Sequence, residues 1–387
     1  MALWDELTGQ PDAIQVVEAA VAASRSAVGD SAMTHSWLIT GPPGSGRSNL
    51  AFAFAAALMS DGSPESDTAT LRQVNARTHP DLGVLSSEKV IIPIADVREL
   101  VSSSYFSPSV GRYRVMIIED ADRMREQAST VLLKALEEPP PRTVWILCAP
   151  SEADLIPTIR SRVRTVRLRV PDVAEVAALI ERRDGVDAAT AAVAAREAQS
   201  HIGMAHRLAT NSEARDRRRR TIEVALGIHS VSDAVQGAAT LLELARQDAE
   251  AITLERDAEE RDSAMRSLGI EPGGTVPPAL RAQMRALDDD QKRRATRSLR
   301  DGIDRIMVDL LSLYRDILLA QLGVPGEPIN LSILEQVDAA ASRSSAVDTL
   351  ATMDAIATAR RRIEGNVSPV LALEAMLVTA TRKVHHP

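Results

Sequence analysis

Apolar and polar positions in the first 170 residues follow two regimes. Short runs of β-branched and large apolar residues, SWLIT (36–40), RVMII (114–118), TVWILC (143–148) and VRTVRL (163–168), read as strands. The stretches between them read as helices, so the pattern predicts a parallel sheet covered by helices. SWLIT runs directly into GPPGSGRS (41–48), and SNLAFAFAAALM (48–59) has the alanine and leucine content of a helix packed on a sheet. The polar stretch DGSPESDTATLRQ (61–73) predicts a surface insertion. After Pro171 the strands stop, and residues 172–210 are alanine-rich, enough for a small three-helix unit. EARDRRRR (213–220) opens a connecting helix into a wholly helical region. There Ile303, Met307, Leu310, Leu311, Tyr314 and Leu318 fall at the spacings of one buried helix face. EPGGTVPPAL (271–280) reads as a long loop.

Composition narrows the class. A chain of 387 residues, 45% hydrophobic and 25% charged, has room for two or three globular domains. No apolar run approaches the ~20 residues that span a bilayer. MALWDELTGQ carries acids where a signal peptide would be basic and apolar, so the expectation is a cytoplasmic protein without a membrane partner. Cys148 is the sole cysteine, which excludes an intrachain disulfide and a thiolate zinc site. The net charge of -8 argues against a DNA-coating protein, although local basic runs such as RDRRRR (215–220) and KRRATR (292–297) read as solvated helix faces or, failing that, DNA contacts. Basic residues are nearly all arginine, with lysine only at positions 89, 134, 292 and 383, so a single arginine in place of lysine is weak evidence by itself.

GPPGSGRS has the frame of a phosphate-binding loop. Gly41, Gly44 and Gly46 let backbone N–H groups close around phosphate oxygens, and a helix starting near Ser48 points its positive end at them. RVMIIEDADRM (114–124), an apolar strand ending in paired acids, stands where a Walker B strand belongs and can meet a magnesium ion at Ser48. Two features differ from a working site. Arg47 brings a broad planar fork where lysine would offer a compact charge. The acids are reversed, Glu119 then Asp120. An Asp120 asked to orient attacking water would fall short by about one C–C bond, ~1.5 Å, and misplacements near ~1 Å can cost ~100-fold in rate.

Further motifs carry a family resemblance. LLKALEEPPPRTVWILCAPSEADLIPTIRSR (132–162) resembles the segment after Walker B in bacterial clamp-loader subunits. With GQPDAI (9–14), THPDL (78–82), DVREL (96–100), GRYRVMIIEDADR (111–123), YRDILLAQLG (314–323) and NVSPVLALEAML (366–377), the chain is similar to the delta-prime family of DNA polymerase III along nearly its whole length. The resemblance implies an AAA+ P-loop core with a parallel sheet (residues 1–170), a small helical lid (171–212) and a helical collar for oligomerisation (213–387). It implies a hetero-pentamer with tau/gamma and delta subunits that loads a sliding clamp onto primed DNA, within a holoenzyme whose activity is DNA-directed DNA polymerisation. In that family this subunit is a stator that lends an arginine to the neighbouring ATPase, and the matching position here is Arg162, in Ser161, Arg162, Val163.

Other departures from a hydrolysing site follow from the same resemblance. Ala149 and Pro150 stand where a polar sensor would be, and His206 stands at the second-sensor arginine, with Arg207 beside it. Residues 60–78 occupy the place of a four-cysteine zinc module without one cysteine, so no zinc is expected. The reading is a scaffold and arginine-finger donor whose degenerate nucleotide site, Gly41, Gly44, Gly46, Arg47, Ser48, Glu119 and Asp120, holds ATP or ADP without hydrolysis or holds none. The alternative is an active tau/gamma-type motor. A P-loop helicase or stand-alone regulator would require an active Walker pair and a basic surface, and neither is evident.

Overall fold

The computed structural model describes residues 3–4, 7–26, 32–86, 91–267, 281–365 and 367–381, and EPGGTVPPAL lies outside them. The chain divides into two compact units, Met1–Ala209 and Thr210–Pro387. In the first, α1 (Pro11–Arg25) precedes β1 (Ser36–Thr40), and α2 (Arg47–Met59) follows the glycine loop. Then come α3 (Pro64–Asn75), β2 (Leu82–Leu85), α4 (Ile94–Ser104), β3 (Arg114–Ile118), α5 (Glu126–Glu137), β4 (Thr143–Ala149), α6 (Pro157–Arg160) and β5 (Arg164–Arg167). The strands form one parallel sheet in the order β2-β3-β4-β1-β5.

Continuous apolar runs are what a sheet covered on both faces requires. Trp37, Ile39, Val115, Ile117, Val144, Ile146 and Cys148 enter the core with α1 and α2. Their alternate neighbours Leu38, Met116, Ile118, Trp145, Leu147 and Ala149 enter a separate core with α4 and α5. The result is a three-layer core, one parallel sheet between two helical layers, and the predicted strands fall where the runs placed them. β2 is the strand that the sequence pattern missed. LGVL is only four residues long and half-buried at the sheet edge, so it lacks the length and apolar density of the others.

The polar stretch 61–73 is a helix for most of its length, not a bare loop. Ser63 caps α3 through its side chain, with Pro64 in the first turn and Glu65 and Asp67 near the positive end. Val74 is buried, Ser60 Oγ donates to Asp67, and Arg25 Nη2 donates to the Ala57 carbonyl and Ser60 Oγ. These hydrogen bonds, with buried Thr70 and Val74, hold the helix in place.

THPDL has a mechanical role. The buried Asp81 carboxylate accepts backbone N–H groups of Ser109, Val110 and Gly111, the Ser109 hydroxyl, and Arg114 at 3.5 Å. Its own N–H donates to His79 Nδ1. One side chain therefore pins the turn before β3 to the start of β2.

Three helices complete the first unit, α7 (Val173–Asp184), α8 (Ala188–Glu197) and α9 (Ile202–Thr210), around their own cluster of Val176, Leu179, Ile180, Ala191, Ala195 and Leu208. The second unit is all helical: α10 (Ser212–Leu226), α11 (Val231–Ser267), α12 (Arg281–Leu322), α13 (Leu334–Ala341), α14 (Ala346–Glu364) and α15 (Pro369–Thr381). The buried face of α12 runs through Ile303, Ile306, Met307, Leu310, Leu313 and Ile317. Leu311 and Leu318, expected on that face, are only half-buried, because the helix turns its 313 and 317 positions inward instead. The run RDRRRR is not a plain solvated face. Arg217 pairs with Asp248, and buried Arg218 pairs with Asp309 and donates to Asn330 Oδ1, whose amide donates to Asp316. The side chains of KRRATR lie outside those described. Among the described residues no helix is long and apolar enough to cross a membrane.

Acid should loosen the first unit in two steps. Burial lowers the His79 pKa below 6.5 against the pull of Asp81, so its stabilising contribution is complete above 6.5 and lost as pH falls through the folded value. Burial raises the Asp81 carboxyl, but the bonds from Ser109, Gly111 and Val110 outweigh it and hold the pKa below 3.8. That contribution is complete above 3.8 and lost as pH falls further. Asp81→Asn should cost about 3 kcal/mol at neutral pH and remove the lower step. Denaturant unfolding at several pH values checks both, and an unchanged midpoint for the variant would refute the account.

Candidate nucleotide site and Arg162

The glycine loop leaves the C-terminal end of β1 and feeds α2. Gly46 caps the helix at φ 92° and Gly44 sits at φ 80°, backbone that other residues adopt only with strain. Gly41 is required for room: a Cβ there would stand 2.6 Å from Ser45 Oγ and 2.8 Å from Leu168 Cβ. Within the loop the Ser45 N–H donates to the Pro42 carbonyl. Gln10 ties the loop to the core, donating to the Ser45 and Arg169 carbonyls and accepting from Arg169 N–H. The first-turn N–H groups of α2 and the positive helix end face this loop, so the frame can hold an anion.

The charged groups around it are satisfied within the chain. Arg47 Nη1 donates to the Gly41 carbonyl, folding the fork back over the loop. Glu119, just past β3, pairs with Arg77 at 3.0 Å. Arg77 is held with φ 55° and lies over the Phe52 ring at 5.7 Å. Asp120, in left-handed backbone at φ 53°, lies 3.7 Å from Arg123. Burial, and then the charge of Asp120, raises the pKa of Asp122, while Arg123 and Arg47 oppose the shift. Ser48, in the first turn of α2, and the acids Glu119 and Asp120 are the groups that could meet a magnesium ion, and both acids already face an arginine. Ala149, buried at the end of β4, offers only a methyl group.

The sequence reading missed two of these groups. Arg77 precedes THPDL as one arginine among many, and only the packing of α3 brings it to Glu119. His201 is the other. A Cβ on Gly44 would lie 2.5 Å from His201 Cγ and Cδ2, so the imidazole covers the loop, fixed by the Met204 N–H donating to its Nδ1. His206, the expected sensor position, bonds instead to Asp184 at 2.8 Å, at the end of α7.

Asp172 caps α7, and Arg162 pairs with Glu137 at the end of α5, at 2.6 Å. Its side chain is 34% exposed, on the surface of the unit.

Residues 17–172 match the family model described as DNA polymerase III, delta subunit. The Pseudomonas aeruginosa DNA polymerase III subunit delta' is 35% identical over 134 residues, which is 33% of this chain and 41% of that protein. The Yersinia pestis subunit delta' is 32% identical over 146 residues, 36% of this chain and 43% of that protein. The chain thus matches about two fifths of the length of these relatives. The Mycobacterium bovis subunit gamma/tau is 27% identical over 187 residues, 47% of this chain and 31% of that protein. Among solved structures, a gamma subunit-related protein from Thermotoga maritima aligns with 89% of this chain and 93% of its own, at 17% identity and a TM-score of 0.42. Through residues 17–172 the chain is similar to the family described as DNA polymerase III, delta subunit, and the relatives it matches are subunits delta' and gamma/tau.

Proposed function

We propose that the chain is a delta-prime-type stator of a DNA polymerase III clamp loader, working with tau/gamma and delta subunits in a hetero-pentamer to place a sliding clamp on primed DNA. In this reading residues 1–170 form the AAA+ core, 171–212 the lid and 213–387 the collar, and no zinc is bound. Arg162 acts in trans on the neighbouring ATPase. Its planar guanidinium would meet the charge spreading over the γ-phosphate oxygens, a role lysine cannot copy.

One observation carries the non-hydrolysing part: Glu119 is ion-paired to Arg77. The Glu119 oxygen that faces Arg77 at 3.0 Å is already engaged by a guanidinium and is not turned toward a metal ion. Arg47 folded onto Gly41 and His201 lying over Gly44 support the same reading, since the space near the loop is taken by the chain's own side chains. The motor reading draws on the longer stretch shared with gamma/tau relatives, 187 residues against 134.

ATP turnover separates the two. The isolated chain should hydrolyse ATP no faster than Ser48→Ala, and a clear rate abolished by that substitution would favour the motor. In the assembled complex, Arg162→Ala should reduce DNA-stimulated turnover by the neighbouring subunit by roughly 10³ to 10⁵, and an unchanged rate would make Arg162 structural.

The covering histidine generates a second test. Gly44→Ala should destabilise the first unit by more than the ~1–2 kcal/mol of left-handed backbone strain alone, because the new methyl strikes His201. Adding His201→Ala should return the excess and leave only the backbone cost. Thermal unfolding of the single and double variants measures this coupling, and simple additivity would refute the contact.

A further inference from the structure

Arg162 is held more completely than a surface arginine needs to be. Its Nε donates to Glu137 Oε1 at 2.7 Å, and Nη2 lies 2.6 Å from the same oxygen. Nη1 donates to the Thr158 carbonyl at 2.8 Å and to Ser161 Oγ at 3.1 Å. A guanidinium has five N–H donors. These contacts use the Nε hydrogen, both on Nη1 and one on Nη2, leaving one Nη2 hydrogen to point elsewhere.

Both anchors are rigid. Glu137 ends α5 directly after Leu136, which is buried under the sheet with Leu132 and Ala135. Thr158 lies in α6 beside the fully buried Ile159. The pair itself is exposed, 34% for Arg162 and 46% for Glu137, and ion pairs that open to water add little to stability. What the contacts do accomplish is to fix the plane and direction of the guanidinium. A finger that must meet a phosphoryl group on another subunit loses rate when it is free to swing.

We propose that Glu137 is a positioning residue for Arg162, bracing the guanidinium so that its remaining Nη2 edge faces an incoming phosphate oxygen. The proposal rests on the reading of Arg162 as a finger acting in trans. The work done by Glu137 is orientation through its acceptor oxygen. Its negative charge offsets part of the attraction Arg162 has for phosphate. A neutral side chain of the same shape keeps the two acceptor contacts and sheds that cost.

The test uses the complete clamp-loader complex, reconstituted with Glu137→Ala, Glu137→Gln, Arg162→Ala and the Glu137→Ala/Arg162→Ala pair, with DNA-stimulated ATP turnover by the neighbouring subunit as the readout. Glu137→Ala should lower kcat about tenfold with KM for ATP unchanged, Glu137→Gln should turn over at the unmodified rate or above, and the pair should be no slower than Arg162→Ala alone. Thermal unfolding of the isolated chain should barely move for either Glu137 variant. An unchanged or faster Glu137→Ala complex, a Gln variant as slow as Ala, or a further loss in the pair would each overturn the positioning role while leaving the finger intact. An Arg162→Ala complex with full activity would overturn the finger and this inference with it.

Discussion

The parallel pairing of β1 with β4, from Ser36 against Trp145 to Thr40 against Ala149, is the constraint on which the first unit depends. It fixes where the glycine loop emerges. It also sets β3, bonded along the other edge of β4, so that Glu119 and Asp120 leave the sheet on the same side as the loop. Because both faces of these strands are covered, a one-residue slip would exchange Trp37 with Leu38 and Trp145 with Ile146 between two differently shaped cores. The register is therefore specified by packing, and the site inherits its geometry from that register.

The strands and the glycine loop were legible in the sequence because their signals are local. SWLIT, RVMII and TVWILC are continuously apolar through their centres, without polar alternation, as a doubly covered parallel strand must be. α3 was not legible, because its apolar anchoring rests on little more than Val74 and its start on the Ser63 cap, features that a composition reading takes for a loop. β2 escaped for want of length. In the α12 face, a strict spacing pattern picked Leu311 and Leu318, whereas the neighbours of the helix selected Leu313 and Ile317. Periodicity finds a face, and tertiary packing sets its centre.

The site residues divide along the same line. The loop glycines, Arg47 and the acids are contiguous motifs and could be read directly. The partners that decide their chemistry are far away in sequence: Arg77 is 42 positions from Glu119, and Glu137 is 25 from Arg162. A motif names the groups present, but whether a carboxylate is available depends on which cation folding brings to it. His201 shows this most clearly, since the expected sensor residue was His206, and that side chain bonds to Asp184 at the end of α7.

The helical unit has a different dependence on chain order. Its core joins Ile222 on α10 to Leu373, Met376 and Leu377 on α15, and the Arg218 to Asn330 bond closes 112 positions. The first unit has its five described strands, its glycine loop and helices α7 and α8 before residue 209. During synthesis the first unit can therefore close its cores while the ribosome is still supplying the second. α10 must wait, with Arg218 unpaired, until α12 and the segment around Asn330 have emerged. Loss of C-terminal residues from α15 would thus leave a complete sheet-bearing unit joined to a bundle whose core lacks Leu373, Met376 and Leu377, a target for chaperones and proteases.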